Sequence, residues 1–179
     1  MAGLWGSGQG ASLLAEVLRF DDLGGPALRV AIWTRALAVL QDFPLTGIGL
    51  GAFRVVVPVL YPSVWLEPDR PPPHAHNLFL QIGVDLGLPG LILVVALLVL
   101  VVWAGLTGWE RWRVVGRRDL ALISLAGTGS LAALVAHGLV DAVTWGTRPA
   151  FLAWAVSGIV LAGGVTAYRT PACYGPEHE

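Results

Sequence analysis

Charge is scarce in this chain: only 13% of its 179 residues are Asp, Glu, Lys or Arg, against roughly 25% in soluble domains. With 55% of the residues hydrophobic, that deficit excludes an ordinary soluble domain and reads as an integral membrane protein. Cysteine is almost missing. Cys173 stands alone in the C-terminal tail, which excludes an intrachain disulfide and leaves an inert or cytosolic thiol. The formal net charge of −1 lacks the basic excess of a polyanion binder, so no nucleic-acid partner is expected. No cleavable signal peptide is expected from residues 1–25, which have neither a basic start nor a continuous apolar core. Ser12 to Phe20 is mildly amphipathic but too short and too charged to span a bilayer. The N-terminal segment, residues 1–26, is therefore expected to carry no anchor of its own. There is no internal repeat, and no low-complexity tract beyond Arg70-Pro71-Pro72-Pro73.

What is present is apolar length. A spanning helix needs about 20 mostly apolar residues, and three segments qualify: 88–106, 120–140 and 150–167. Pro89 suits the first turn of the first span, where its missing N–H costs nothing. His137 and a few small polar residues interrupt the second. Gly158, Gly163 and Gly164 in the third are tolerated in membranes and used there for close packing. The expected fold is all-α: a polytopic transmembrane bundle with three spans here and a partly helical outer loop. Between spans one and two, Trp109 to Arg118 holds four arginines. The positive-inside rule puts that loop in the cytoplasm, with Trp103, Trp109 and Trp112 at the interface. The region 27–87, and the turn from Asp141 to Pro149 with Trp145 as its belt residue, then fall outside. The tail, residues 168–179, falls inside.

The outer region carries the candidate chemistry. Arg29, Trp33, Ala36, Leu37 and Leu40 recur at helical spacing, so Ala27 to Gln41 reads as an amphipathic helix ended by Pro44. Thr46-Gly47-Ile48-Gly49-Leu50-Gly51 reads as a flexible turn; it lacks the spacing and βαβ context of a dinucleotide fingerprint. Pro58 to Pro73 reads as an irregular loop with six prolines. Then comes Pro73-His74-Ala75-His76-Asn77, with Asn77 poised to cap a helix over Leu78 to Leu86. Histidine titrates near neutrality, so an accessible histidine where water meets membrane is a candidate proton carrier. No metal set is visible, because His74-Ala75-His76 lacks a carboxylate or Cys at ligand spacing. His137 and Asp141, four apart, are expected to share one face of span two.

Taken in order, several pieces resemble the O-antigen ligase and polymerase superfamily of membrane glycosyltransferases. They are Arg29-Val30-Ala31-Ile32-Trp33 with Ala36-Leu37, then Asp42-Phe43-Pro44-Leu45-Thr46-Gly47-Ile48-Gly49, then Phe53. After the loop come His74-Ala75-His76-Asn77-Leu78-Phe79-Leu80-Gln81 and Asp85-Leu86-Gly87-Leu88-Pro89-Gly90, and later Gly138-Leu139-Val140-Asp141. The family's usual Glu before Leu-Gly is Asp85 here. Many more helices usually precede this region, so the chain resembles the C-terminal half of such a protein, and missing N-terminal helices are an expected partner.

The resemblance implies transfer of a glycan from a polyprenyl-diphosphate carrier to an acceptor hydroxyl outside the cytoplasmic membrane. The acceptor would be a glycolipid, a glycan or a protein, and neither nucleotide, metal nor other cofactor is implied. His76 would take the acceptor's proton. Arg29, with Arg35 and Arg54 as alternates, would grip the diphosphate through its planar guanidinium. His74, Asn77, Asp85, His137 and Asp141 would support them. Plainer roles compete: His76 capping a helix or binding a carbonyl, Arg29 on a solvated helix edge, and Asp141 with His137 as an interhelical bond. Within the class, a repeat-unit polymerase and a protein O-glycosyltransferase stand beside the ligase. Outside it stand an inactive remnant, a structural membrane subunit and, more distantly, a transporter.

Overall fold

A computed structural model describes residues 26–62, 71–142, 144–146 and 150–171. The stretch from Ser12 to Phe20, residues 63–70 of the expected Pro58–Pro73 loop and the tail with Cys173 lie outside the described residues. Among the described residues five α-helices follow one another: α1 (Pro26–Asp42), α2 (Phe53–Leu60), α3 (Leu78–Val114), α4 (Arg118–His137) and α5 (Ala150–Arg169). No strand occurs among the described residues. The last three helices are long and apolar enough to cross a membrane. The chain is thus the all-helical, multi-pass protein its composition implies.

The three long helices pack on one another around Val101, Leu131 and Val160, with a second layer of Trp112, Ala121 and Ala167. Apolar side chains also point outward: Leu93, Val99, Leu122 and Phe151 are all more than half exposed. In lipid such faces supply no drive for helices to associate, so close backbone approach and hydrogen bonds matter more. Gly108 and Gly164 provide that approach, since a Cβ built on Gly108 would stand 3.0 Å from the Gly164 Cα. Gly163 sits near Ser124, but Gly158 meets nothing within 4 Å and takes no part. At the far end of the bundle, Arg111 Nε donates to the Ala167 carbonyl at 2.7 Å and Trp112 Nε1 to that of Gly163 at 3.2 Å. The first bond satisfies an end carbonyl of α5 and brings a cation to its negative end; the second ties Trp112 to the same helix. Because α3 continues to Val114, Arg111 and Arg113 lie on its last turn. The link to α4 is thus only 115–117 rather than the longer loop expected from Trp109 to Arg118.

α1 and α2 pack on the N-terminal part of α3 through a separate core of Ile32, Ala36, Val39, Phe53, Val57, Ala75 and Val84. The buried stripe of α1 is Ile32-Ala36-Val39, one residue off the stripe read from sequence, and Leu37 is 49% exposed. The cause is that α1 is apolar on several faces, so periodicity alone does not select the packed one. α1 stops at Asp42, two residues short of Pro44, as the restriction on the residue before proline requires. Pro58, expected to open an irregular loop, instead sits inside α2. There its lost N–H leaves one carbonyl unpaired in a helix anchored by Phe53 and Val57 one turn apart.

The expected boundary between a capped helix and the first span is real. α3 breaks at Gly87, whose φ is 71° and ψ −178°. A break leaves carbonyls and an N–H without helical partners, and the 44–49 segment supplies them. Ile48 N–H donates to the Val84 carbonyl at 2.8 Å, Gly49 N–H to that of Asp85 at 3.1 Å, and Leu88 N–H donates to the Pro44 carbonyl at 2.7 Å. The Thr46–Gly51 turn is therefore a fitted clasp rather than the flexible element the sequence suggests. Both central glycines are obligatory. Gly47 has φ 62°, and a Cβ there would lie 2.6 Å from the Asp85 carbonyl carbon; a Cβ on Gly87 would lie 2.6 Å from that of Leu45. Gly47→Ala or Gly87→Ala is expected to destabilise the protein by at least about 2 kcal/mol, combining a left-handed backbone with overlap against main chain. Thermal unfolding in detergent, beside the control Gly129→Ala at an open position within α4, where alanine should if anything stabilise, checks this; an unshifted midpoint in the Gly47 and Gly87 variants would refute the clasp.

Candidate functional site

The site forms where α3 begins and α4 ends. Asn77 has an extended backbone, and its Oδ1 accepts from Leu80 N–H at 3.0 Å, so it caps α3 as expected. Its Nδ2 donates to the Leu139 carbonyl at 2.9 Å, while Leu78 N–H donates to that of Gly138 at 2.6 Å. The first turn of α3 thus meets its unpaired donors with carbonyls just beyond α4. Gly138 is buried against Leu78, where a Cβ would come within 2.8 Å of the Leu78 side chain.

This docking ends α4 at His137, short of the 120–140 span read from sequence. Asp141 lies in the turn that follows, so it no longer shares a helix face with His137. His137 is exposed and takes no part in the cluster. Asp141 instead turns to the histidines: its Oδ1 lies 3.7 Å from His74 Nδ1 and 3.5 Å from His76 Nδ1. The two imidazoles meet edge to face with centroids 4.4 Å apart. A carboxylate absent from the local sequence is supplied from sixty-odd residues away. One donor atom from each of His74, His76 and Asp141 lies within 4.8 Å of the others, which revises the expectation that the histidines have no carboxylate at ligand distance.

The loop that presents the histidines is held from beneath. Ala75 N–H donates to Gln81 Oε1 at 2.7 Å, and Gln81 Nε2 donates to Asp85 Oδ1 at 2.9 Å. Trp145 Nε1 donates to Asp85 Oδ2, also at 2.9 Å. Gln81 and Asp85 are buried, and a buried polar group costs little once its partners are in place. This chain of bonds joins the His loop, α3 and the turn before α5. Sequence reading kept Asp85 and took Trp145 as a belt residue, but missed Gln81. Its spacing four residues before Asp85, on one helix face, was the available signal.

His76 has φ 48°, the one non-glycine with positive φ among the described residues. Holding such a residue there costs about 1–3 kcal/mol and is found mainly at functional positions. Its N–H donates to His74 Nδ1 at 3.2 Å, so that nitrogen carries a lone pair rather than a proton. Burial holds His74 below the ordinary imidazole value, the adjoining His76 pushes the same way, and the Asp141 carboxylate opposes both.

Of the arginines among the described residues, only Arg29 joins this group: its Nη1 donates to the Val140 carbonyl at 3.1 Å, next to Asp141. Arg35 donates to the Pro62 carbonyl at 3.4 Å, toward a different loop. Arg54 is exposed on α2, with no hydrogen bond or ion pair among the described residues. The structure thus gathers Arg29, His74, His76, Asn77 and Asp141, sets Asp85 beneath them, and leaves Arg35, Arg54 and His137 apart.

No curated protein matches the sequence. The family model described as O-Antigen ligase matches residues 4–95, just over half of the chain. The matched stretch takes in α1, α2, the Gly47 clasp, the His loop and the break at Gly87, and stops before Asp141. Carrying these elements in this order, together with three helices of membrane-spanning length, the chain belongs to the O-antigen ligase family.

Proposed function

We propose that this protein transfers a glycan from a polyprenyl-diphosphate carrier to an acceptor hydroxyl on the outer face of the cytoplasmic membrane. The observation that carries the reading is the meeting of Arg29 with the His74–His76–Asp141 cluster at one end of the bundle. His76 serves as the general base. It takes the acceptor's proton as the acceptor oxygen attacks the anomeric carbon from the face opposite the diphosphate. The anomeric C–O bond then breaks with inversion, and polyprenyl diphosphate leaves with the electron pair. Arg29 meets the charge that develops on the leaving phosphate oxygens. One of its nitrogens is anchored on the Val140 carbonyl, and the remaining N–H groups of the fork can pair with two oxygens at once. Asp141 orients the imidazoles, and Asn77 fixes the turn that carries them. Ligase, repeat-unit polymerase and protein O-glycosyltransferase share this step, since each acceptor presents a hydroxyl.

The membrane side of the cluster suits a lipid-borne donor. An apolar groove of about 650 Å³ runs between α3 and α4 from Phe79 and Leu139, beside Asn77, to Trp103 and Leu106. An isoprenoid chain lying there would carry its diphosphate to the rim where Arg29 stands.

The reading requires the His loop outside and the arginine-rich end of α3 inside. Cysteine-scanning accessibility in intact cells is the test, made in a Cys173→Ser background. A cysteine at residue 73 is expected to react with a membrane-impermeant maleimide, and one at residue 116 is expected to react only after lysis. The opposite pattern would refute both the topology and the proposed transfer.

A further inference from the structure

Three donor atoms stand around one point at the rim of the bundle, and they fit a metal better than they fit one another. The Asp141 Oδ1 distances to the two Nδ1 atoms, 3.5 and 3.7 Å, are long for hydrogen bonds, whose heavy atoms lie about 2.7–3.2 Å apart. In a tetrahedral site with bonds of about 2.0–2.2 Å, neighbouring ligand atoms lie about 3.3–3.6 Å apart. The two Asp141 spacings fall on or just beyond that edge length, and the two histidine donors lie within 4.8 Å of one another. The donor set is also right, since two imidazoles and one carboxylate leave a fourth position open in a tetrahedral zinc site.

The ligands are already prepared. His74 Nδ1 accepts from the His76 N–H, so it presents the lone pair a cation needs, and that long bond is the one given up on ligation. Ala142 N–H donates to Asp141 Oδ1 at 2.7 Å, which fixes the carboxylate. The strained backbone of His76 turns the second imidazole onto the first. Partial exposure of all three side chains leaves an entry path from water.

We propose that His74, His76 and Asp141 form a binding site for one first-row divalent cation of zinc's type. The consequence for catalysis rests on the glycosyl-transfer reading above; the binding itself does not. A neutral imidazole has a single lone-pair nitrogen. Once His76 Nδ1 is ligated, its Nε2 bears a proton and the ring has no base left to offer. Zinc bound here is therefore an inhibitor of transfer, and the acceptor's proton and the cation compete for the same electron pair.

The test uses the full chain, purified in detergent on a tag without histidine and stripped with chelator. Zn²⁺ alone is titrated in competition with a chromophoric chelator, in a Cys173→Ser, His137→Ala, His178→Ala background that removes the one cysteine and the two other histidines. One ion per chain is expected, with Kd below about 10 µM. His74→Ala and the nearly isosteric Asp141→Asn should each weaken it by roughly 10-fold or more. Co²⁺ in place of Zn²⁺ should give the intense visible absorption of a tetrahedral site, lost in Asp141→Asn. Thermal unfolding of each variant without metal verifies that it is folded. No stoichiometric uptake, or uptake equal in wild type and both variants, overturns the proposal. Because the ion is read directly, such a failure leaves the base assignment of His76 standing. Conversely, zinc uptake beside a fully active His76→Ala would overturn the base and leave the site.

Discussion

His76→Ala is expected to lower glycan transfer by roughly 10²- to 10⁴-fold, the range for a positioned general base, while the protein accumulates in the membrane at its normal level. The expectation rests on geometry: among the described residues His76 alone combines exposure to water, a carboxylate at 3.5 Å and a backbone forced to positive φ. A residue kept in such a conformation for packing would be replaceable by glycine. His76→Gly therefore separates structure from chemistry. Glycine adopts this φ freely, so the variant should be no less stable than the wild type, and up to about 1 kcal/mol more so if little else is lost. It should nevertheless be as inactive as His76→Ala. The paired measurement is thermal unfolding against initial transfer rate with a lipid-linked donor. A His76→Gly protein that transfers at the wild-type rate would end the proposed mechanism. His74→Ala is expected to be milder in the same assay, because His74 is the more buried of the pair.

Arg29→Ala is expected to slow transfer by roughly 10²- to 10³-fold, as when one preorganised donor is taken from a developing oxyanion. The informative comparison is Arg29→Lys. Lysine can replace the single bond to the Val140 carbonyl and keeps the positive charge. It cannot reproduce the planar fork that engages two phosphate oxygens. If Arg29 only ties α1 to the end of α4, lysine should restore most of the rate. If it grips the leaving diphosphate, lysine should remain close to alanine in turnover, with expression unchanged. Arg35→Ala and Arg54→Ala, at positions that do not reach the cluster, should lower the rate less than Arg29→Ala. Near-complete rescue by lysine would reassign Arg29 to a tether.

What could be read from the chain divides by distance along it. Asn77 as a cap, the separation of Leu78–Leu86 from the span that follows, and the halt before Pro44 are local effects, set by dihedral preferences and unpaired backbone groups within a few residues. Three membrane-length helices follow from composition. The candidate pair His76 and Arg29 was legible through family resemblance and sits beside the same carboxylate-bearing turn. The nature of that neighbourhood was not legible. Asp141 was assigned to a face with His137 because a helix was extended by periodicity past Gly138. The helix stops there because Leu78 and Asn77 claim the Gly138 and Leu139 carbonyls, contacts between segments some sixty residues apart. The same limit hid the Gln81–Asp85–Trp145 chain. It also made Thr46–Gly51 look loose, since nothing in a glycine-rich turn reveals that another backbone lies against it.

That turn has an evolutionary consequence. Its grip on α3 is made mainly by main-chain atoms: Pro44, Ile48 and Gly49 meet Val84, Asp85 and Leu88 through amides and carbonyls, with the Asp85 carboxylate on the Gly51 backbone and Ile48 packed on the core beside them. Such a joint asks little of the other side chains around it, provided Gly47 and Gly87 remain glycine and Asp85 and Ile48 are kept. Leu45 and Leu50, both well exposed, are then free to drift without disturbing the frame beneath the histidines. The outer surface of the turn can therefore be recut by substitution while the corner that carries the histidines stays in register.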